Sequence, residues 1–357
     1  MIVLGIESSC DESAAAVVED GRTVLSSVVF SQVPLHQPYG GVVPEIASRS
    51  HVEKIGGVIR EAVAQAFGGL EWGRIDAVAV TYGPGLASSL IVGLSAAKGL
   101  ALALGKPLIG INHIEAHLYS VFLSPDAPDP RGVGRVLGLA VSGGHTCWVD
   151  QPGIGEYRII GQTLDDAAGE AFDKAAKLLG LGYPGGPAID RVAKTVQAPD
   201  AIPFPKGRTK EGNPALGDLR ADLCVSFSGL KTALMYYLRN NPPAGEEAVA
   251  RIAASYQEAI VGALADRTAR ALESDDYSAV AVGGGVSLNG RLRARLREVA
   301  ARAGVQLLLA EPRYCGDNAA MIAGLAGMGA GVREGAMSLD VCPALEAGDK
   351  MELEGMR

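Results

Sequence analysis

The chain has 357 residues, of which 48% are hydrophobic and 47 are glycine, with a formal net charge of −8. That is enough for two domains and a sizeable core with many tight turns. The acidic balance argues against a stand-alone nucleic-acid binder, because such affinity rests on neutralising phosphates, so an RNA role would need local basic patches or a helper subunit.

Met1-Ile2-Val3-Leu4 lacks the basic start of a signal peptide. Cys10, Cys147, Cys224, Cys315 and Cys342 have no paired spacing, which fits a reduced cytoplasmic protein without a structural zinc cluster. Ile2-Val3-Leu4-Gly5-Ile6 reads as a strand that stops at the acidic turn Glu7-Ser8-Ser9-Cys10-Asp11-Glu12. Strands over residues 14–18 and 23–31 complete a meander. Apolar positions at Val52, Ile55, Val58, Ile59, Val63 and Phe67 predict an amphipathic helix begun by Pro44 and ended by Gly68-Gly69. Residues 77–80 read as a strand. The apolar stretch 86–104 contains Lys98 and many small residues, so it is expected as a buried helix and not a membrane span.

A strand over 107–111 then runs into Asn112-His113-Ile114-Glu115-Ala116-His117. Asn112 is a helix N-cap with Glu115 as its capping-box partner. His113 and His117 therefore fall at i and i+4 on one face, able to share one ion. Two satisfied interior histidines are the plain alternative. The glutamate is one place late for a His-Glu-x-x-His peptidase motif.

The second half repeats the first. Residues 136–141 stop at Ser142-Gly143-Gly144-His145-Thr146, and strands follow at 147–149 and 157–160. Residues 279–282 lead through Gly283-Gly284-Gly285 to a helix ending near Ala303, then a strand over 305–310. A period this long is a duplicated α/β domain, not a solenoid. The division expected is residues 1–130 plus 318–357 for one lobe and 131–317 for the other, with a helical insertion over about 165–275. Within it, helices are read at 166–181 and 248–272, with a rigid turn at 183–187. The repeat places Asp317 opposite the histidine pair. Two imidazoles and a carboxylate suit iron or catalytic zinc. Otherwise, Asp317 is the N-cap of the small-residue helix 319–330.

The glycine turns fall at strand ends, where α/β sheets bind ligands, and imply a nucleotide in an interdomain cleft. Gly284 and Gly285 open a helix there. No Walker A sequence follows. Asp11 and Glu12 are expected to face Ser142 to His145 across that cleft, for proton transfer or substrate orientation. The basic run Lys206-Gly207-Arg208-Thr209-Lys210 reads as a solvated loop, with an RNA contact as the alternative.

Several motifs occur in order: Gly5-Ile6-Glu7-Ser8-Ser9-Cys10-Asp11-Glu12-Ser13, Gly40-Gly41-Val42-Val43-Pro44-Glu45, His113-x-Glu-x-His117, Val141-Ser142-Gly143-Gly144-His145-Thr146, Ser226-Phe227-Ser228-Gly229-Leu230-Lys231 and Cys315-Gly316-Asp317-Asn318-Ala319. Together they closely resemble the bacterial tRNA N6-adenosine threonylcarbamoyltransferase (TsaD) family, once labelled as O-sialoglycoprotein endopeptidases. The resemblance spans roughly residues 1–342. It implies the α/β actin/Hsp70/sugar-kinase (ASKHA) fold, two duplicated lobes with a cleft between them. It implies acyl transfer from threonylcarbamoyl-adenylate to N6 of the adenosine beside the anticodon, in tRNAs reading codons that begin with A, with release of AMP.

By motif, the resemblance assigns one divalent metal, usually iron and sometimes zinc, to His113, His117 and Asp317. It assigns adenine-nucleotide or adenylate contacts to Ala140, Val141, Ser142, Gly143, Gly144, Asp173, Gly186, Asp190 and Asn289, and catalytic support to Asp11, Glu12 and His145. The archaeal and eukaryotic branch has a tyrosine metal ligand where Ala140 stands, so substrate or water must fill that position here. The implied partners are tRNA, a small paralogous subunit (TsaB-like), a P-loop ATPase (TsaE-like) and an upstream threonylcarbamoyl-adenylate synthase, all in the cytoplasm. Residues 206–217 and the acidic tail after Glu346 match poorly and receive no role. Two rivals are a metallopeptidase, against which the displaced Glu115 argues, and a kinase or ATPase of the same fold. Ordinary phosphotransfer uses carboxylate-held magnesium, not a histidine triad.

Overall fold

The structure is a computed structural model that describes residues 1–197, 199, 201–207, 216–217 and 219–349. Of the basic run, 208–210 lie outside the described residues, as does the end of the tail beyond 349. The chain divides into two compact units. The first comprises Met1–Gly132, Pro152–Arg158 and the chain from Ala310 onward, and the second Val133–Gln151 and Ile159–Leu309.

The first unit is built on strands β1 (Ile2–Glu7), β2 (Glu12–Glu19), β3 (Thr23–Ser31), β4 (Ala77–Gly83) and β5 (Leu108–Asn112), in the order β3-β2-β1-β4-β5. β1 runs antiparallel to β2, and β2 to β3; β1 and β4 are parallel, as are β4 and β5. Helix α1 (Pro44–Phe67) carries Pro44 in its first turn and stops at Gly68, as its periodicity predicts. Helix α2 (Ala87–Leu104) follows β4 and packs on both β4 and α1. Ile6, Val17, Val63, Val78 and Ala97 belong to the core these elements share.

α2 is the one helix among the described residues long and apolar enough, by length and composition, to cross a membrane. The expectation of a buried helix holds for one face only. Leu90, Gly93, Leu94, Ala97 and Ala101 are buried, whereas Ile91 and Leu102 are exposed.

A second sheet repeats this topology with β6 (Val136–Val141), β7 (Thr146–Gly153), β8 (Glu156–Gln162), β9 (Ala279–Gly283) and β10 (Gln306–Leu309), in the order β10-β9-β6-β7-β8. Matching β6 to β1, β7 to β2, β8 to β3, β9 to β4 and β10 to β5 reproduces each pairing, parallel for β6–β9–β10 and antiparallel for β6–β7. The duplication read from sequence is therefore present in the strand order itself.

The helices between β8 and β9 are more numerous than the pattern predicts. The first runs Ala168–Leu178, shorter at both ends than residues 166–181. Pro184 is not in a free turn but caps a helix at Gly185–Ala193, where Pro187 sits in the first turn and needs no N–H donor. Ser228–Asn240 is a further helix, and Glu246–Ser274 brackets the expected 248–272. In chain order these are α4, α5, α6 and α7, with α3 reserved for His113–Tyr119 in the first unit. α8 is Gly290–Ala303 and α9 is Ala319–Gly327.

Asp317 reaches the histidines by a different route from the one expected. It does not project from the second copy. After β10 the chain enters the first unit at Ala310. There α9 lies against β1 so closely that a Cβ on Gly5 would stand 2.4 Å from the Ala319 carbonyl oxygen. Only glycine in β1 permits that approach, and it carries residues 310–318 with α9 onto the first sheet.

Candidate functional site

Three parallel strands of the first unit end side by side, where open α/β sheets bind ligands. β1 ends in Glu7, β4 passes Thr81 near its end, and β5 ends in Asn112. Asn112 Oδ1 accepts from the Ile114 and Glu115 amides at 2.9 and 3.4 Å and so starts α3. Helical geometry from that cap puts His113 and His117 one turn apart, with ring centroids 4.5 Å apart and planes at 76°.

His113 Nε2 and His117 Nε2 lie 3.5 and 3.1 Å from one oxygen, Asp317 Oδ1. The three residues offer ligand atoms all within 4.8 Å of one another. Both histidines are buried. The sequence alternative for Asp317, capping the following helix, is not realised. Asn318 is the N-cap of α9, its Oδ1 accepting from the Met321 amide at 3.0 Å.

Behind the triad stands a residue the sequence reading left out of the site. Glu7 is fully buried, and its Oε2 lies 3.0 Å from His113 Nδ1. Thr81 Oγ1 donates to the same oxygen and the Ser9 amide to Oε1. The signal was available: a carboxylate ending an apolar strand on a buried register position needs a partner.

The electrostatics suit a cation. Burial disfavours charge on Glu7, yet the His113 imidazole outweighs it and holds the carboxyl below its ordinary range. Burial likewise opposes charge on Asp317, which His113 and His117 nevertheless hold well below the usual carboxylate range. Burial pulls His113 down, but Glu7 and Asp317 raise it well above the ordinary value. His117 is lowered by burial and by its neighbour His113. Two buried carboxylates thus make this pocket one that favours positive charge. Two nitrogens and one oxygen are a donor set that ferrous iron and zinc both accept, so these three residues could hold a divalent metal.

The acidic turn follows. Asp11 is buried, and its carbonyl accepts from the Gln32 amide at 3.0 Å. Burial, then the charges of Asp317 and Asp11, push the Glu12 carboxyl up to about 10. Beneath the turn, His51 of α1 lies 2.7 Å from Ser13 Oγ through Nδ1 and 3.0 Å from the Cys10 carbonyl through Nε2. The Cys10 thiol is raised well above its usual range, first by burial and then by Asp11, so it is not an activated nucleophile. Glu115 is not placed as a peptidase base, since its Oε1 accepts from the Gly348 amide at 2.9 Å.

The expected nucleotide residues all lie in the second unit. Ala140 and Val141 are buried in β6. The turn after them is closed by the Ser142 amide donating to the His145 carbonyl at 2.8 Å and the His145 amide to Ser142 Oγ at 3.1 Å. Around Gly143, Gly144, Gly186 and Gly285, a Cβ would meet nothing within 4 Å, so these backbones border open space. Gly284 is different: its φ is +95° and a Cβ would stand 2.3 Å from the Val141 carbonyl oxygen, so it joins β9 to β6.

Asp190 Oδ2 pairs with Lys194 at 2.6 Å while its Oδ1 is buried without a partner, an acceptor available to a hydroxyl. Asp173 Oδ1 accepts from the Gly185 amide at 2.6 Å. Asn289 caps α8 through Leu292 and donates to Gln257 Oε1 at 2.7 Å. Asp11 and Glu12 belong to the first unit and His145 to the second.

A family model described as tRNA N6-adenosine threonylcarbamoyltransferase matches residues 23–324. Curated relatives bearing that description include one from Geobacter sp. (strain M21), 50% identical over 345 residues that span 96% of each chain. Another, from Symbiobacterium thermophilum, is 48% identical over 349 residues, 97% of each. A third, from Anaeromyxobacter dehalogenans (strain 2CP-C), is 52% identical over 322 residues, 90% of this chain and 92% of the relative. Among solved structures, T. kodakarensis HypF superposes with a TM-score of 0.58 at 16% identity, covering 92% of this chain and 47% of that one. Component A of the Acidaminococcus fermentans (R)-2-hydroxyglutaryl-CoA dehydratase gives 0.50 at 14%, covering 91% and 96%. These two likenesses speak to fold alone, and they agree with the ASKHA architecture of paired sheets.

Proposed function

The chain belongs to the tRNA N6-adenosine threonylcarbamoyltransferase family, and from that premise we propose how its residues divide the work. The enzyme is an acyltransferase whose substrate is tRNA. In our reading the donor is threonylcarbamoyl-adenylate and the acceptor is N6 of the adenosine beside the anticodon, in tRNAs reading codons that begin with A. A bond forms between N6 and the carbamoyl carbon, the bond from that carbon to the adenylate phosphate oxygen breaks, AMP departs, and N6 loses one proton.

His113, His117 and Asp317 would hold one divalent metal, ferrous iron in preference and zinc as the alternative. Bound there, it would supply Lewis-acid polarisation of the carbonyl and a template for the acyl group. The observation that carries this reading is the convergence of both Nε2 atoms on Asp317 Oδ1. The proton from N6 needs an acceptor, because an exocyclic amine is a poor nucleophile. Asp11, Glu12 and His145 are the candidate acceptors. Adenine-nucleotide contacts are assigned to the turns 140–144 and 284–285 and to Asp173, Gly186, Asp190 and Asn289. Asp190, with its unpartnered buried oxygen, is suited to a ribose hydroxyl.

We further assign a cytoplasmic setting, an upstream adenylate synthase, and two helpers, a small paralogous subunit and a P-loop ATPase. The test is formation of modified adenosine on tRNA from threonylcarbamoyl-adenylate, by the metal-loaded protein with its helpers. Modification that depends on the triad supports the reading. Absence of product under every combination of helpers would end it.

A further inference from the structure

His113 and His117 are not equivalent, and the difference lies on the side of each ring that faces away from Asp317. His117 Nδ1 is buried and has no hydrogen-bond partner. His113 Nδ1 faces Glu7 Oε2 at 3.0 Å, with Ser9 Oγ at 3.3 Å from the same nitrogen. Glu7 cannot turn away. The Thr81 hydroxyl holds one carboxylate oxygen and the Ser9 amide holds the other. No part of Glu7 is exposed.

We propose that Glu7 is a positioning residue for the metal centre: its carboxylate takes the Nδ1 proton of His113 in a hydrogen bond and so fixes the ring with Nε2 aimed at the ligand position beside Asp317. The inference rests on the assignment of His113, His117 and Asp317 as ligands and deepens it.

Three physical consequences support the role. A neutral imidazole has one protonated and one lone-pair nitrogen, and the hydrogen bond at the first decides which nitrogen can bind a metal. An anionic acceptor also makes the opposite nitrogen a stronger donor, and such outer partners change metal affinity by about 10–100-fold. Charge balance adds a third. A divalent ion with Asp317 alone would leave one uncompensated positive charge in a buried setting, and Glu7 brings the group to neutrality. His117 lacks such a partner, so the two imidazoles should bind with unequal strength, His113 being the more firmly held ligand.

The experiment compares the full-length protein with Glu7→Gln, Glu7→Asp and His113→Ala. Each is stripped with chelator and titrated with cobalt(II), whose visible ligand-field bands report coordination directly; zinc is then titrated in competition. Folding is followed by circular dichroism and thermal melting. Glu7→Gln keeps shape and removes charge; Glu7→Asp keeps charge and withdraws the carboxylate from Nδ1. The expected result is a folded protein with cobalt affinity about 10–100-fold weaker in Glu7→Gln, a smaller loss in Glu7→Asp, and band positions shifted from wild type in both. Should Glu7→Gln fail to fold, Glu7→Asp carries the same comparison. Wild-type affinity and an unchanged spectrum in the folded variants would overturn the role of Glu7 while leaving the triad in place. Unchanged cobalt binding in His113→Ala would instead overturn the triad assignment itself.

Discussion

His117 Nε2 and Asp317 Oδ1 stand 3.1 Å apart although 200 residues separate them in the chain. Asp317 is available for that contact because its neighbour Asn318 makes the helix cap. The two adjacent residues should therefore separate cleanly by mutation. Asp317→Asn should lose bound metal while remaining folded. Asn318→Ala should keep the metal and lose about 1 kcal/mol of stability through the cap. Metal per chain by mass spectrometry and urea unfolding read both quantities. Metal retained in Asp317→Asn would refute the carboxylate ligand.

The metal should be present at about one ion per chain and should couple to stability, since a site that exists only in the folded state stabilises it by mass action. At about 100 times the dissociation constant, that contribution is about 2.7 kcal/mol. Chelation should lower the melting temperature of wild type, and readdition should restore it. His113→Ala with His117→Ala should carry no metal and show no response to chelator. A chelator response that survives in the double variant would point to a different site.

Much of this was legible in the sequence, for identifiable reasons. Apolar runs and the period-3.6 pattern located β1 to β5 and α1, with β3 and α1 placed to the residue and β4 three residues short, because the central strands are buried on both faces and α1 buries one. The duplication was visible because the meander and the parallel crossover recur in the same order. Asn112 announced α3 and hence the histidine pair. What was hidden depends on three-dimensional packing. The helix Gly185–Ala193 was masked by Pro184 and Pro187, which read as turn formers until one sees them at a helix start. The route of Asp317 could not be seen, since it follows from Gly5 letting α9 approach β1. Glu7 was counted in an acidic turn; its place at the end of an apolar strand signalled a buried carboxylate, but its partners Thr81 and His113 follow only from the packing.

The glycine turn of the second unit gives a further test. Gly144 borders open space, so valine there should fold without internal clash. If a nucleotide lies against that backbone, Gly144→Val should weaken adenylate or ATP binding by an order of magnitude or so, since the branched side chain occupies the ligand's place. Asp190→Asn should also weaken binding, by removing the anionic acceptor. Calorimetry with the nucleotide alone measures both. Affinities equal to wild type would remove these turns from the nucleotide site.

His51 should make stability depend on pH. Burial lowers its folded-state value below the ordinary 6.5, while the Cys10 carbonyl opposes the shift. The unfolded chain therefore binds the proton more readily than the folded one. Stability is fully present above 6.5 and falls as pH drops below it towards the folded-state value, with a slope of at most about 1.4 kcal/mol per pH unit. Gln32 Oε1 and His36 Nε2 are buried nearby without hydrogen-bond partners, and it is burial that disfavours the imidazolium charge. His51→Gln should be less stable at pH 7.5 by about 1–3 kcal/mol through lost buried hydrogen bonds. The gap between its urea-unfolding profile and that of wild type should narrow as pH falls from 7 to 5. A constant gap would mean that His51 does not titrate on unfolding.

The last expectation concerns the mismatch between an acidic enzyme and a polyanionic substrate. With a net charge of −8, the isolated chain meets tRNA against a repulsive long-range field, and local lysine and arginine contacts must carry the binding. Such contacts are screened within about 10 Å at 0.1 M salt. Each neutralised phosphate of a single strand contributes about −0.7 to the log–log dependence of affinity on salt. The protein alone should therefore turn over poorly on tRNA and threonylcarbamoyl-adenylate, and its activity should fall steeply between low and moderate salt. Adding the paralogous subunit and the ATPase should raise turnover and flatten the salt dependence, if they supply part of the RNA surface. The measurement is modified adenosine formed with and without each helper at two salt concentrations. Efficient, salt-insensitive multiple turnover by the isolated chain would rule out the need for helpers. Activity restored by the ATPase without the paralogous subunit would show that the RNA surface is complete in the chain and that the missing function is turnover of the complex.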